Sequence, residues 1–230
     1  RQRQMCIRDR LQLPLFQGLA QEDFTRILEK VKLHFTKHKP GELLLKEGTS
    51  CHELVFVLKG EVASSTSSVD SSYSFTEYFP APYLIEAYSM FGMKTHYAST
   101  YRAKTEAHTV SISKAFVMKE LFNYEIFRLN YMNIVSNRTQ MLHNRLWAVS
   151  GDNLEARIAH FILSHVERLS GEKALKIKME NLAQIVNDTR AGVSKALNSM
   201  QAKGLAELHR GEIVIPDAEK LSENLYLLSL

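Results

Sequence analysis

The sequence predicts an α+β chain in three parts: an all-β domain over residues 11–115, a long helix over 116–150 and a winged helix-turn-helix over 151–230. Three observations predict it. Short apolar runs separated by turn residues fill the first part, as in a sandwich or barrel. No proline or glycine interrupts the stretch from Phe116 to Val149. Towards the C-terminus, two short amphipathic segments flank a turn pair and lead into a hairpin pattern.

Composition agrees with two globular domains. The chain has 230 residues, 45% hydrophobic and 23% charged, enough for a core in each half. No apolar run reaches the roughly 18 residues of a membrane span. Arg1 to Arg10 leads into no long apolar core, so no secretory signal is expected. Two cysteines, Cys6 and Cys51, cannot build a disulfide framework, which fits a reducing cytoplasm. The formal charge is +4, but Arg1, Arg3, Arg8 and Arg10 against Asp9 supply +3 of it. RQRQMCIRDR resembles translated adapter read-through and is left out of the fold. From Ala148 onward, 10 Lys/Arg face 11 Asp/Glu. A case for nucleic acid must therefore rest on where the cations sit.

In the β part, Gln21 to Val31 reads as a short helix with Phe24, Ile27, Leu28 and Val31 on one face. The apolar runs are Leu43–Leu45, Leu54–Leu58, Tyr83–Ile85, Ala98–Ala103 and Thr109–Ile112, punctuated by Pro40-Gly41, Gly48 and Gly60. The serine-rich Ser64 to Ser74 reads as a hairpin loop or a solvated strand pair. Beyond it, Met132, Val135, Thr139, Leu142, Leu146 and Val149 follow alternating steps of three and four, a coiled-coil seam that predicts a homodimer. Phe127, Tyr131, Ile134 and Met141 lie on a neighbouring face that packs on the chain's own β domain. Ser150-Gly151-Asp152 breaks the helix and supplies a hinge and a new N-cap. Leu154, Ile158, Phe161, Ile162, His165 and Val166 mark the next helix.

The stretch from Met179 to Gly204 carries the functional reading. Leu182, Ile185 and Val186 give a first short helix its apolar face, and Ala183 is small where a second helix crosses. Asn187-Asp188 is the turn. Thr189 caps a second helix whose inward face is Val193, Ala196, Leu197 and Met200, and Gly204 ends it. Thr189, Arg190, Ser194, Lys195 and Asn198 then face outward. Residues at the start of such a helix reach base edges in the major groove, and an arginine fork matches guanine O6 and N7. Thr189, Ser194 and Lys195 suit phosphates. Leu205–His209 and Glu212–Ile215 pair as the wing, with Arg210 at its tip. Any one of these cations alone is an ordinary solvated charge; the cap, turn, small residue and wing together are not.

These residues resemble a known family. Leu182 to Leu208, LAQIVNDTRAGVSKALNSMQAKGLAEL, is similar to the DNA-binding domain of the cyclic-AMP receptor protein/Fnr (Crp/Fnr) superfamily of bacterial transcription regulators. Arg157-Ile158-Ala159 resembles its lead-in helix. Pro14-Leu-Phe-Gln-Gly-Leu19, Pro40-Gly-Glu42, Gly48 and Leu54-Val-Phe-Val-Leu-Lys-Gly60 resemble its sensor. The resemblance implies a double-stranded β-helix (jelly-roll, cyclic-nucleotide-binding-like) sensor, a dimerisation helix and a reader of palindromic double-stranded DNA. It also implies RNA polymerase as a partner and no enzymatic activity. Many members carry Arg-Glu-Thr where this chain has Arg190-Ala191-Gly192. Ala191 cannot accept a hydrogen bond from cytosine, so a different half-site is expected.

The family's cyclic-nucleotide cassette falls on Leu84-Ile85-Glu86-Ala87-Tyr88 and Thr95-His96-Tyr97-Ala98-Ser99. Glu86 survives, but the glycine position is Ile85 and the phosphate-binding arginine falls on Tyr97 or His96. A buried phosphodiester needs a fixed cation and open backbone N–H groups, which tyrosine does not supply. The adenine positions fall near Leu142 and His143. The expected pocket of Glu86, Tyr97, Leu142 and His143 therefore takes an unknown small-molecule effector, or none, rather than a cyclic nucleotide. The two cysteines cannot hold an iron–sulfur cluster. No His-x-His pair supports a cupin-like metal enzyme, and no cofactor is expected; an axial haem ligand would have to be His52, His96 or Cys51. Two rivals remain: a signalling or interaction module whose helix-turn-helix does not bind DNA, and the cupin-fold enzyme.

Overall fold

A computed structural model describes residues 13–147 and 153–228. The chain divides into two compact units, one of residues 1–63 and 79–141, the other of 64–78 and 142–230. The predicted helix-break residues Ser150, Gly151 and Asp152, the seam position Val149, Cys6 and the arginine-rich start lie outside the described residues.

The first unit opens with helix α1 (Gln21–Lys30), whose Phe24 and Ile27 are buried as the periodicity predicts. The strands β1 (His34–His38), β2 (Leu43–Leu45), β3 (Glu53–Lys59), β4 (Glu61–Ser67), β5 (Tyr73–Pro80), β6 (Tyr83–Ile85), β7 (Thr100–Ala103) and β8 (Ala107–Ser113) follow. One sheet has the order β1-β8-β3-β6, and β4, β7 and β2 lie side by side in the other. This is the expected β-sandwich, its strands pairing antiparallel. Alternation places Leu54, Phe56, Val110 and Ile112 inside. Only glycine fits between β3 and β4: Gly60 has φ +87, and a Cβ there would lie 2.2 Å from the Glu106 carbonyl oxygen. The polar strand β1 carries no apolar run and was not among the predicted strands.

The connecting helix is not one piece. Helix α2 (Lys114–Lys119), capped by the Ser113 hydroxyl, gives way to a 3₁₀ turn at Leu121–Asn123, and α3 (Glu125–Trp147) starts anew after the extended Tyr124. Burial of Leu121 in the sandwich core sets that break. Phe127 and Tyr131 of α3 are buried in the first unit, as predicted. The seam residues Met132, Thr139, Leu142 and Leu146 are exposed, Leu146 to 83%.

The second unit holds α4 (Leu154–His165), β9 (Lys173–Ile177), α5 (Met179–Ile185), α6 (Arg190–Ala202), β10 (Glu207–His209), β11 (Glu212–Ile215) and α7 (Ala218–Leu228). Asn153 caps α4 by accepting the Ala156 N–H at 2.8 Å. The cap is thus one residue beyond the predicted Ser150-Gly151-Asp152. The sheet order in this unit is β10-β11-β9-β5-β4, so the serine-rich segment is a strand pair whose second strand adds to β9. Phe75 joins a core built on Ile158, Ile162, Leu175, Leu197 and Ile213.

Beside Phe75 on this added strand, alternation also turns Glu77 inward. Its carboxylate accepts the Glu167 N–H with both oxygens, at 2.7 and 2.8 Å, and lies 3.8 Å from the Lys173 ammonium, which is 0% exposed. Lys173 also donates to the Ser170 carbonyl at 2.8 Å. Burial raises the Glu77 carboxyl from 4.5 to about 7, outweighing the pull of Lys173 and of the backbone N–H groups. The folded value exceeds the unfolded one, so this contribution to stability is full below pH 4.5 and is lost as pH rises through about 7. The stability difference between wild type and Glu77→Gln should therefore fall across that window, by at most about 1.4 kcal/mol per pH unit. Urea midpoints of both proteins over the window measure it; a difference that stays flat contradicts the assignment.

Candidate functional site

Helix α5, a tight turn and α6 form the helix-turn-helix. The turn closes because Asn187 takes the left-handed region at φ +51, which asparagine tolerates. The Asp188 N–H then reaches the Ala183 carbonyl at 3.0 Å. Thr189 caps α6 by accepting the Gly192 N–H at 3.0 Å. Val193, Ala196, Leu197 and Met200 are buried along the inner face, and Gly204, at φ +69, follows the C-terminus. Ala183 is buried on the inner side of α5 as predicted. Ile185 is not: it is 41% exposed, and Leu182 and Val186 carry the inward face. Leu182 and Val186, four residues apart, set that face, and Ile185 falls about 100° from Val186, towards its edge.

Thr189, Arg190, Lys195, Asn198 and Arg210 are all exposed, and Ser194 is half-buried. Arg190, Ser194, Lys195 and Asn198 lie on α6 and Thr189 caps it, whereas Arg210 sits in the turn between β10 and β11. Arg190 is not idle: its guanidinium lies 2.9 Å from the Glu180 carboxylate of α5, with 71% of its side chain exposed. An exposed pair of this kind is worth at most about 1 kcal/mol, so phosphate or guanine can displace it.

The composition reading missed a brace behind this helix. Arg157 of α4 donates from Nε to the Val186 carbonyl at 3.0 Å and from a terminal nitrogen to Asp188 Oδ2 at 2.8 Å. Asp188 Oδ1 in turn accepts the Thr189 N–H at 2.7 Å. One arginine thereby orients the turn that aims α6. Gly192 belongs to the same arrangement, since a Cβ there would lie 2.5 Å from Asp188 Oδ1. The departure from the family's reading triplet at this position gives the Asp188 carboxylate its room.

In the first unit, Glu86 is 2% exposed and held at φ +37. Its Oε2 accepts from the Ser89 hydroxyl and the Ala98 N–H, both at 2.7 Å, and its Oε1 from the Tyr101 hydroxyl at 3.1 Å. Tyr97 is buried beside it and donates to the Glu53 carbonyl at 3.2 Å. Burial pushes the Tyr97 phenol well above its usual range, so it stays neutral. Tyr131 donates to the Ala87 carbonyl. Glu86 and Tyr97 of the cassette are thus already engaged within the protein. Leu142 and His143 are exposed positions on α3 in the second unit.

Of the three candidate haem ligands, Cys51 is buried, with its thiol pushed up by desolvation, and His52 and His96 are exposed. Among the described residues no three His, Cys, Asp or Glu side chains gather to hold a metal ion. No described helix is long and apolar enough to cross a membrane. An apolar cavity of about 20 Å³ between Phe16, Phe24, Ile27, Phe56 and Ile112 has room for little more than one water.

Comparison with known proteins finds two matched stretches. Residues 35–124 match the cyclic nucleotide-binding domain, and residues 156–223 match the Crp-like helix-turn-helix domain. No curated protein matches the chain in sequence. The solved catabolite activator protein of Thermus thermophilus is 17% identical, aligned over 94% of this chain and 99% of its own, with a TM-score of 0.53. A regulator of the crp/fnr family from Eubacterium rectale is 20% identical over 92% and 97%, with a TM-score of 0.51. Both share the fold.

Proposed function

The chain belongs to the Crp/Fnr family of transcription regulators, and on that premise we propose that it is a cytoplasmic homodimer that reads a palindromic operator in double-stranded DNA. The observation that carries this reading is α6: a capped helix with a fully apolar inner face and Thr189, Arg190, Lys195 and Asn198 on the outside. The exposed seam of Met132, Leu142 and Leu146 supports dimerisation, because a second copy would cover it. Dimers place paired recognition helices about one DNA turn apart, so a change in their spacing changes operator affinity. RNA polymerase is the further partner in this reading.

The effector is a small molecule other than a cyclic nucleotide. Glu86 already has three donors, and a neutral phenol stands where a phosphate would need a cation. A ligand switches the protein only by binding the two arrangements unequally. The chemistry is recognition, with no reaction to catalyse.

Selection of duplexes from a random pool tests the reading, followed by fluorescence anisotropy on the selected site. Arg190→Ala should relax preference at one base pair of each half-site, a loss of about 1–3 kcal/mol of discrimination. An unchanged preference profile removes Arg190 from the interface. A second reading, an interaction module that never touches DNA, draws on the Glu180–Arg190 pair and the acidic balance of the C-terminal part. Failure to enrich any duplex would favour it.

A further inference from the structure

The turn between β10 and β11 has a neighbour at its end of the sheet. Across the ladder, Glu212 of β11, Lys176 of β9 and Ser74 of β5 stand in one row. Beyond that row, on the same side, lie the wing turn Arg210-Gly211, the exit of β9 into Lys178, and the hairpin turn between β4 and β5. Two hydrogen bonds tie the three together: the Ile177 N–H to the Gly211 carbonyl at 3.1 Å, and Asn181 Nδ2 to the Ser72 carbonyl at 3.0 Å. Asn181 follows Glu180, which touches Arg190 at the start of α6. The hairpin is thereby tied to α5, the helix whose Glu180 pairs with Arg190.

Between these parts runs an open groove of about 320 Å³, lined by Ser67, Ser71, Ser72, Lys176, Lys178 and Gly211 among others. Strand alternation sends Lys176 and Lys178 to its side while Ile177 between them is buried. Its donors are hydroxyls and ammonium groups, the set that binds phosphate oxygens. Three carboxylates stand nearby. Glu212 lies 4.0 Å from Lys176, and Asp70, held down to about 2 by Ser68 and Ser72, is engaged within the hairpin turn. Glu180, the third, is occupied by Arg190.

We propose that the Ser67–Ser74 hairpin tip is a second wing: with Lys176 and Lys178 it receives backbone phosphates of the duplex beside the helix-turn-helix. The assignment rests on the DNA-binding reading above. It explains why a serine-rich segment far off in sequence completes this sheet, and it widens the footprint without adding base contacts.

The test is the salt dependence of binding to the selected duplex for the full-length wild type and for Lys176→Gln/Lys178→Gln. Each phosphate contact contributes about 0.9 to the slope of log K against log salt. Losing one makes the weakening between 50 and 200 mM salt about three- to fourfold smaller, and losing both about tenfold smaller. Base preference at every position should stay as in wild type, and hydroxyl-radical protection should shrink at the flank of the site. A double variant with wild-type slope and footprint overturns the second wing and leaves the DNA reading standing. A wild type that selects no duplex overturns both. Both lysines are exposed, so folding of the variant is checked by its circular dichroism.

Discussion

Glu77→Leu should destabilise the second unit by about 3–5 kcal/mol, the usual cost of removing one partner from a buried ion pair. The reason is the lysine left behind. Lys173 is fully buried, and without Glu77 its ammonium keeps the hydrogen bond to the Ser170 carbonyl and the pull of the Glu167 carboxylate but loses its buried partner. The Glu167 N–H, which now donates to both carboxylate oxygens, also loses its acceptor. Desolvation of an unpaired charge dominates that sum. The same argument makes a second, opposite result obligatory. In Glu77→Leu/Lys173→Met no charge is stranded, and most of the loss should return, because well-packed apolar pairs replace buried ion pairs at little or no cost. Amide exchange of β9 and β11 reports the second unit separately from the first. If Glu77→Leu leaves those amides as protected as in wild type, the hairpin strand does not pair with β9 in solution.

That pair shows where sequence reading reaches its limit. The helix-turn-helix was legible because its signals are local. Val193, Ala196, Leu197 and Met200 repeat at helical spacing within one helix, and the cap and C-terminal glycine stand next to it in sequence. The partnership of β5 with β9 spans about 100 residues, and nothing local in Tyr73–Pro80 marks it. The serine-rich composition pointed to solvent. Yet alternation within that stretch already placed Phe75 and Glu77 on one face, and a glutamate sharing a face with phenylalanine was the one clue to a buried charge.

The long helix shows a different failure. Absence of proline and glycine licensed an unbroken run from Phe116, but helix propensity is a weak prior, and the burial of Leu121 outweighed it. The Arg157 brace is invisible for the reason that hides Glu77. Its partners, Val186 and Asp188, sit about 30 residues away, and only the fold brings them within reach.

Glu86→Ala should cost the first unit on the order of 3–5 kcal/mol in the absence of any ligand. The resemblance to the cyclic-nucleotide cassette reads this carboxylate as part of an effector pocket, which would make its loss nearly silent in the free protein. The structure gives it other work. The Ser89 hydroxyl, the Ala98 N–H and the Tyr101 hydroxyl all donate to it at a site with 2% exposure. Each donor stranded in such a site costs about 1–3 kcal/mol, and the hydroxyls recover part of that by rotating. The left-handed backbone at Glu86 points the same way, since a non-glycine residue stays at φ +37 only where its surroundings over-determine it. Glu86→Gln keeps the shape and one acceptor oxygen but turns an amide NH₂ towards a donor, so its cost should fall between wild type and alanine. Amide exchange at Ala98 and along β7 measures the series, because those groups report the site directly. Loss of protection graded as Ala > Gln > wild type marks Glu86 as part of the fold. Unchanged protection in Glu86→Ala, with a changed response to a small molecule, would return the carboxylate to effector binding and reopen the cassette as a ligand pocket.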